Sequence, residues 1–225
     1  MTRSVDSAGP KRTVFLVDDH PLVREWLTNL IQQQPDLTVC GEAETCPKAL
    51  QAIVDCRPHI AIVDISLKDS SGIELIKNLK QCCPGVRVLV LSMHEESHYA
   101  ERALRAGAKG YVMKRETAKK VITAIRQVLE GKLYLSEGLA AAMAAQFVTG
   151  RVLTSESPVE QLSDRELEVF ALLGDGRGTR QIAEALAVSI KTVQAYCARI
   201  KEKLNLASAS ELVREAVRWR EGAGK

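Results

Sequence analysis

Polar side chains end four apolar runs of this 225-residue sequence. Each run lacks polar alternation, which is typical of a strand that is buried on both faces of a sheet. Because the carboxyl ends of parallel strands meet at one crevice, we expect the residues that follow these runs to lie close together. Those residues are Asp18 and Asp19, Asp64, Ser92, and Lys114.

The three aspartates predict a divalent-cation site. Asp18, Asp19 and Asp64 would repel one another at adjacent strand ends unless a cation neutralised them. Oxygen ligands with net negative charge suit Mg²⁺, which takes one or two carboxylates, a phosphate and several waters. A structural alternative assigns Asp19 to a helix cap and Asp64 to a loop, but the convergence of three carboxylates favours the metal site.

The same residues predict phosphoryl chemistry. A carboxylate beside a metal can act as a nucleophile towards phosphorus and form an aspartyl phosphate. Asp64 stands alone after the middle run and is the candidate acceptor. Lys114 would pair with a phosphoryl oxygen as a point charge, and Ser92 would donate a hydrogen bond to another oxygen.

The elements that must position these residues alternate in type along the first half of the chain. Apolar runs predict strands, and apolar residues at helical spacing predict a helix after each strand. This alternation predicts a parallel sheet with helices on both faces and right-handed crossovers. The predicted strands are 13–18, 37–43, 59–63, 86–91 and 110–113, and the predicted helices are about 20–34, 46–57, 71–82, 96–106 and 117–131.

The C-terminal part shows helix signals and no strand pattern. Two capping boxes, Ser163 to Glu166 and Ser208 to Glu211, each precede an apolar helical pattern. Between them, Thr179 predicts the cap of a short helix, and Ser189 predicts the cap of a longer helix that reaches Leu204. A short helix, a tight turn and a longer helix make a helix-turn-helix.

We therefore divide the chain into three parts. Residues 12–131 form the α/β domain, and residues 161–225 form an all-α domain. Residues 132–160 form a linker, in which the Ala-rich stretch 136–148 predicts a helix and the polar, proline-containing stretch after it predicts an irregular connection.

Composition indicates a cytoplasmic protein without a membrane segment. Hydrophobic residues make up 46% and charged residues 26% of the chain, which is typical of a globular protein. The sequence contains no run of about 18 apolar residues and no apolar signal sequence. The net charge of +3 is too small to indicate nucleic-acid binding by itself. The six cysteines form no C-x-x-C pair, so we expect reduced packing residues.

The local distribution of charge suggests that the longer predicted helix, residues 189–204, binds DNA. Residues 189–204 contain four basic residues and one acidic residue, so 4 − 1 = +3. Its outward face carries small, amide and basic groups, and in a major groove Gln pairs with adenine and Arg with guanine. A basic face that only contacts solvent is the alternative. The predicted buried stripe is Val193, Cys197, Ile200 and Leu204, and the candidate DNA contacts are Lys191, Thr192, Gln194, Ala195, Ala198, Arg199 and Lys201.

The α/β domain, residues 12–131, resembles the receiver domain of response regulators. The resemblance is carried by Asp18-Asp19, by Asp64 with Gly72 eight residues later, by LSMH around Ser92, and by GYVMK ending in Lys114. It implies a flavodoxin-like fold, with a five-stranded parallel sheet in the order 2-1-3-4-5.

This resemblance also implies the role of each residue. A sensor histidine kinase would donate the phosphoryl group to Asp64, and the chain would catalyse only its own Mg²⁺-dependent phosphoryl transfer and autodephosphorylation. The pattern departs from the family at Leu67, Lys68 and Ser70. The implied Mg²⁺ ligands are Asp18, Asp19, Asp64 and the backbone carbonyl of Ser66; Ser92 and Tyr111 form the implied switch pair, and Lys114 contacts the phosphate.

The C-terminal domain resembles the LuxR-type helix-turn-helix of the NarL/FixJ family. The resemblance is carried by LSDRELEVFALLGDG, IAEALAVSIKTVQAY and IKEKLNL. It implies double-stranded DNA as a partner, with RNA polymerase as a further candidate. Gln194 and Tyr196 stand where the family usually has lysine and histidine, so the bound sequence is expected to differ accordingly.

Together the two resemblances predict a two-component response regulator that dimerises on phosphorylation and regulates transcription. A Mg²⁺-dependent phosphohydrolase that uses Asp64 is a rival, but Ser66 stands where its general acid is expected. A third interpretation is a receiver that no longer switches and binds DNA constitutively. The retained Asp64 and Lys114 argue against it, although Lys68 leaves it open.

Overall fold

The computed structural model describes residues 10–67, 71–93, 96–148 and 158–222. Its chain divides into two compact units, one that reaches Ser136 and a second that begins at Glu137. The first unit contains a sheet, and the elements of the second unit from Glu137 to Gly222 are helices joined by short connections, as far as its residues are described. Among the helices of the described ranges, none combines the length and the apolar character that crossing a bilayer requires.

The first unit alternates strands and helices as the sequence predicts. The sheet is parallel throughout, with the strand order β2-β1-β3-β4-β5, so the predicted fold class is confirmed. The strands are β1 Arg12–Val17, β2 Leu37–Ala43, β3 Ile60–Val63, β4 Arg87–Ser92 and β5 Gly110–Met113. The helices are α1 Pro21–Gln32, α2 Cys46–Cys56, α3 Gly72–Cys82, α4 Glu96–Ala106 and α5 Ala118–Leu129.

The central strands are buried on both faces, which is why their sequences show no polar alternation. All four residues of β3 are buried. One face carries Leu16, Ile62 and Leu91, which pack in a single apolar cluster with residues of α1 and α5. The core therefore holds the carboxyl ends of β1, β3 and β4 next to one another.

The first residues of the predicted linker belong to the sheet. The backbone of Tyr134 accepts a hydrogen bond from Tyr111 N and donates one to Lys109 O, each at 3.0 Å. A side chain at Gly110 would meet Tyr134 O at 2.9 Å, so glycine permits this close approach. The contact covers the free edge of β5, a sheet edge that would otherwise present unpaired backbone groups.

The second unit contains five helices and one 3-10 turn in its described residues, bounded as follows: α6 Glu137–Val148, the turn Pro158–Gln161, α7 Asp164–Gly174, α8 Thr179–Ala185, α9 Ile190–Lys203 and α10 Ala209–Gly222. Helix α6 corresponds to the predicted Ala-rich helix. The connection predicted after it, up to residue 157, lies outside the described residues. Contacts among α7, α8, α9 and α10 form the core of this unit.

Local capping sets most helix starts in the second unit. Ser163 caps α7 in the predicted box, since Ser163 N donates to Glu166 Oε2 at 2.7 Å. Ser189 caps α9 by accepting a hydrogen bond from Thr192 N at 3.0 Å. The prediction for α8 is wrong by one residue: Thr179 is the first helical residue, and Gly178 is the cap. Gly178 N donates to Gln181 Oε1 at 2.9 Å, which replaces a threonine cap.

Candidate functional site

Three carboxylates converge at the carboxyl ends of β1 and β3. Asp18, Asp19 and Asp64 are only 2%, 8% and 3% exposed. The backbone of Asp64 is tied to β1 through a hydrogen bond from its N–H to Val17 O at 2.8 Å. The sheet register therefore brings together acids that lie 45 positions apart in the sequence, as the strand-end argument predicts.

Lys114 occupies the centre of this acidic group. Its Nζ lies 2.6 Å from Asp64 Oδ2 and 2.7 Å from Asp18 Oδ2. The residue follows β5, and its backbone N–H donates to Ser92 O at 2.8 Å, which joins the ends of β4 and β5. One ammonium therefore neutralises part of the charge of two buried carboxylates.

The protonation of these groups follows from burial and charge. Burial raises the pKa of Asp64 to about 6, although the ammonium of Lys114 acts in the opposite direction. Burial lowers the pKa of Lys114, but the charges of Asp64 and Asp18 outweigh that effect and raise it above its usual value. At neutral pH Lys114 is thus charged and Asp64 is ionised, as a nucleophilic carboxylate must be.

The loop after β3 is held close to Asp64. Ser66 N donates to Asp64 Oδ1 at 3.3 Å, and Gly72 N donates to Ile65 O at 2.7 Å. Leu67 is buried. Of the three departures from the receiver pattern, Lys68 and Ser70 lie outside the described residues.

The acidic group has the chemistry of a hard-cation site. One ligand atom from each of Asp18, Asp19, His20 and Asp64 lies within 4.8 Å of the other three. Asp19 Oδ1 is buried and accepts no hydrogen bond, although His20 Nδ1 lies 2.9 Å away. A buried carboxylate oxygen without a hydrogen bond is costly, and a divalent cation relieves that cost. The donor set therefore fits a metal ion.

Two neighbours of the site were not identified from the sequence. His20 contacts Asp18 Oδ1 at 3.1 Å through its ring and donates its backbone N–H to the same oxygen at 2.9 Å. The guanidinium of Arg24 donates to Asp18 O at 2.7 Å. Arg24 also lies 3.5 Å from Glu42 on β2. The position of His20 directly after the acidic pair was the available signal.

Ser92 and Tyr111 lie on one face of the sheet. Tyr111 is in register with Val90, two residues before Ser92, and side chains two apart on a strand share a face. Both residues are buried, and Tyr111 is only 2% exposed. The side chain of Tyr111, one member of the implied switch pair, is therefore buried in this structure.

The predicted recognition helix α9 exposes the face that the sequence assigns to DNA. Val193 and Ile200 are buried, and Cys197 and Leu204 are half-buried, so the stripe that packs inward is the predicted one. Of the candidate DNA contacts, Thr192 and Lys201 are half-buried, and the exposed ones are Lys191, Gln194, Ala195, Ala198 and Arg199. The guanidinium of Arg199 lies 5.9 Å from the centre of the Tyr196 ring, a distance at which a cation and a ring attract.

The charge count on α9 needs one correction. Lys203 Nζ lies 2.7 Å from Glu166 Oε2 and donates to Gln161 O at 3.1 Å. Its charge is therefore used within the unit. The basic residues left for a partner are Lys191, Arg199 and Lys201 against Glu202, so the free charge is 3 − 1 = +2 rather than +3.

Comparison with known families agrees with both units. Residues 14–126 match the response regulator receiver domain, and residues 160–216 match the bacterial regulatory proteins of the luxR family. The chain therefore belongs to the response regulators that join a receiver domain to a LuxR-type DNA-binding domain.

Its relatives cover nearly the whole chain. The oxygen regulatory protein NreC of Staphylococcus epidermidis is 34% identical over 210 residues, which are 91% of this chain and 96% of the relative. NreC of Staphylococcus carnosus is 34% identical over 209 residues, with the same shares covered. These relatives support the assignment of both domains in one chain.

Solved structures show the same architecture. A LuxR-family response regulator from Aurantimonas sp. SI85-9A1 has a TM-score of 0.57 and 33% identity, over 62% of this chain and 99% of that structure. The RcsB response regulator of Salmonella typhimurium has a TM-score of 0.56 and 25% identity, over 92% of this chain and 98% of that structure. The chain is thus a phosphorylation-regulated transcription regulator, and its receiver domain implies a histidine kinase partner.

Proposed function

We propose that Asp64 is the residue that accepts the phosphoryl group, donated by a phosphohistidine of the partner kinase. This proposal rests on the buried contact between Asp64 Oδ2 and Lys114 Nζ at 2.6 Å, beside two further carboxylates. An oxygen of Asp64 attacks phosphorus, the P–N bond to the histidine breaks, and the electron pair of that bond stays on the imidazole, which takes up a proton. The product is an aspartyl phosphate.

The remaining residues of the pocket position the reacting groups. Asp18, Asp19, Asp64 and the backbone carbonyl of Ser66 would hold Mg²⁺, which when bound supplies positive charge for the phosphoryl oxygens. Lys114 changes partner from carboxylates to the phosphoryl group, to which it is a charged donor. Ser92 is the last residue of β4, at the same edge of the sheet, and donates its hydroxyl to a phosphoryl oxygen.

Phosphorylation acts on the face formed by α4, β5 and α5. It adds about −1.5 to −2 charges to the pocket, which draws Ser92 and Lys114 towards Asp64 and selects a packing of Tyr111. Two receivers that meet on this face form a two-fold dimer, and their DNA-binding domains then address half-sites of matching symmetry. We infer that these events take place in the cytoplasm, where a kinase and DNA are both accessible, and that RNA polymerase is a further partner.

The DNA interface of the proposal is the exposed face of α9. Gln194 and Arg199 read base edges in the major groove, and Lys191 and Lys201 contact phosphates. Thr192, Ala195 and Ala198 line the same face, where short side chains allow close approach. A Gln194→Ala variant should lose preference at one base pair, at a cost of about 1–3 kcal/mol for a bidentate contact. An unchanged preference profile would exclude direct readout by Gln194.

Phosphoryl labelling of the full chain tests the acceptor. With Mg²⁺ and a small acyl phosphate, the wild-type protein should incorporate one phosphoryl group, and Asp64→Asn should incorporate none. Asp55→Asn is the matched control, since Asp55 is an exposed aspartate on α2 whose carboxylate accepts hydrogen bonds from Gln51. Asp55→Asn should be labelled as the wild type is, and labelling that persists in Asp64→Asn would overturn the assignment.

Sedimentation tests the coupling between the two domains. Beryllium fluoride, a phosphoryl mimic, should shift the full chain from monomer towards dimer and tighten binding to specific DNA. The shift cannot exceed the difference in stability that the mimic makes between the two receiver conformations. An unchanged mass over a wide concentration range, together with unchanged DNA affinity, would contradict the coupling.

A further inference from the structure

Two cysteines meet on the outer side of the sheet, away from the acidic pocket. Cys40 lies on the edge strand β2, and Cys56 is the last residue of α2. Their sulfur atoms are 3.6 Å apart, although the residues are 16 positions apart in the sequence. Both side chains are exposed, and both thiols are free. The pair therefore combines close contact with access from solvent.

The position of Cys40 depends on an irregularity in the strand. Val14 of β1 pairs with Val39, but the next residue, Phe15, pairs with Gly41, so Cys40 is an extra residue in the ladder. A bulge of this kind is uncommon between parallel strands and redirects a side chain. Gly41 permits it, since a side chain there would meet the Phe15 ring at 2.6 Å.

A second hydrogen bond helps to hold Cys40 in place. Its thiol donates to Val14 O at 3.5 Å, on the neighbouring strand. Because α2 packs on β2, the bulge and the end of the helix keep the two sulfur atoms opposite each other. A disulfide requires the two sulfur atoms, which are 3.6 Å apart, to approach to about 2.05 Å.

The other close cysteine pair lacks this geometry. Cys82 and Cys83 also have sulfur atoms 3.6 Å apart, but they are neighbours in sequence. Consecutive α-carbons are about 3.8 Å apart, which is below the roughly 4.4–6.8 Å that a disulfide spans between α-carbons. In the described part of the chain, Cys40 and Cys56 are thus the close pair whose separation in sequence leaves a disulfide open to them.

We propose that Cys40 and Cys56 form a reversible disulfide when the receiver domain meets a hydroperoxide. Hydrogen peroxide oxidises one thiol to a sulfenic acid and releases water, and the second thiol then attacks that sulfur, forms the S–S bond and releases a second water. Two thiols are oxidised and one peroxide is reduced, so the step balances. Thiol reductants restore the pair, as expected for a disulfide that forms in a reducing compartment.

The contact between the sulfur atoms allows the second step whichever thiol is oxidised first. Partial burial, with the hydrogen bond to Cys56 next in size, raises the pKa of Cys40 to about 12. Because the thiolate is the reactive form of cysteine, this shift slows the direct oxidation of Cys40. Once either sulfur is a sulfenic acid, the other thiol lies 3.6 Å away and can resolve it.

Peptide mapping of the full-length protein tests the proposal. After treatment with hydrogen peroxide and alkylation of the remaining thiols, a digest without reductant should contain a peptide pair joined through Cys40 and Cys56, lighter by two hydrogen atoms than the separate peptides. Of the six thiols of the chain, two should become inaccessible to the alkylating reagent. Dithiothreitol should restore both.

Matched serine variants separate this disulfide from other products. Cys56→Ser should lose the cross-link and leave Cys40 available for alkylation, whereas Cys82→Ser should form the cross-link as the wild type does. Cys40→Ser provides a second variant, and circular dichroism under reducing conditions checks that each is folded. The proposal is overturned if both thiols stay fully alkylated after excess peroxide, if they appear as separate sulfinic acids, or if Cys82→Ser abolishes the cross-link.

Discussion

Gly72 lies so close to the backbone of Asp64 that a side chain there would have its Cβ 2.0 Å from the carbonyl oxygen of Asp64. The same Cβ would also lie 2.9 Å from the Cα of Ile65. The start of α3 therefore packs directly on the backbone of the proposed phosphoryl acceptor. Because the obstructing atoms belong to the backbone, no rotation of a side chain can relieve the contact.

Gly72→Ala should destabilise the receiver domain and impair its phosphorylation. Overpacking in a tight core costs about 1–3 kcal/mol, and the approach to backbone atoms puts this substitution at about 3 kcal/mol. Urea unfolding and the rate of phosphoryl labelling measure the two effects. Gly85→Ala is the control, because a Cβ at Gly85 meets nothing within 4 Å. Equal stability of the two variants would contradict the steric argument.

Lys114→Met should destabilise the metal-free protein by about 3 kcal/mol, because it leaves two buried carboxylates without their cation. Mg²⁺ should restore part of that loss, so its addition should raise the unfolding midpoint more in Lys114→Met than in the wild type. Chemical denaturation with EDTA or with Mg²⁺ gives both values.

The control for this prediction is Lys109→Met, which removes an exposed lysine outside the pocket. It should change stability little and leave the response to Mg²⁺ as in the wild type. A Lys114→Met protein that is as stable as Lys109→Met in EDTA would show that the carboxylates do not need the ammonium.

Glu166→Gln should reduce the acid sensitivity of the second unit. Burial raises the pKa of Glu166, but the hydrogen bonds from Lys203 and from the backbone of Ser163 outweigh it and hold the pKa below its usual value. A carboxylate with a lowered pKa in the folded state stabilises the fold above its ordinary pKa of 4.5, and this stabilisation is lost as pH falls through the lowered value. The wild-type advantage over Glu166→Gln should therefore be complete at pH 6 and shrink below pH 4.5.

Trp219 fluorescence reports unfolding of the second unit, since its ring lies 5.6 Å from that of Phe170. A Trp26→Phe background removes the signal of the tryptophan on α1. Glu202→Gln, at an exposed site on α9, should leave the pH profile unchanged. A wild-type advantage that is constant from pH 3 to pH 7 would rule out the proposed role of the Lys203 contact.

Lys191→Ala and Lys203→Ala should have different effects, although both remove a lysine from α9. Lys191 is exposed on the face of α9 that we propose contacts DNA, so its loss should weaken binding to all sequences and reduce the slope of log affinity against log salt by about 1. Lys203 is held by Glu166, so its loss should lower the stability of the second unit and leave the slope unchanged. Binding titrations at several salt concentrations distinguish the two, and a reduced slope in Lys203→Ala would contradict the corrected charge count.

Local patterns in the sequence were sufficient for the order and type of the elements. The strand ends that carry Asp18, Asp64 and Lys114 could be predicted because a run without polar alternation identifies a central strand, and the topology of a parallel sheet brings such ends together. The stripe of Val193 and Ile200 and the cap at Ser189 could be predicted for the same reason. The apolar runs, the helical stripe and the helix cap can each be recognised within one short segment of the sequence.

Only the tertiary structure shows the contacts between residues that are far apart in the sequence. Lys203 reads as a basic residue of a recognition helix, but its ammonium binds a carboxylate 37 positions earlier. Tyr134 reads as linker, but its backbone covers the edge of β5. The sequence predicts Cys40 to be a packing residue in a regular strand. The shift in pairing between β1 and β2 instead places its sulfur next to that of Cys56.

The sequence predicts some features and not others because some depend on the spacing of residues within one segment, whereas others depend on which distant segments pair. Hydrophobic spacing and helix caps depend on residues a few positions apart, so the sequence by itself determined a five-stranded receiver, a helix-turn-helix and the acids at the strand ends. Register, bulges and ion pairs depend on which surfaces meet once the chain has folded. These contacts decided that Gly72 packs against the backbone of Asp64, that Lys203 pairs with Glu166, and that two cysteines face each other.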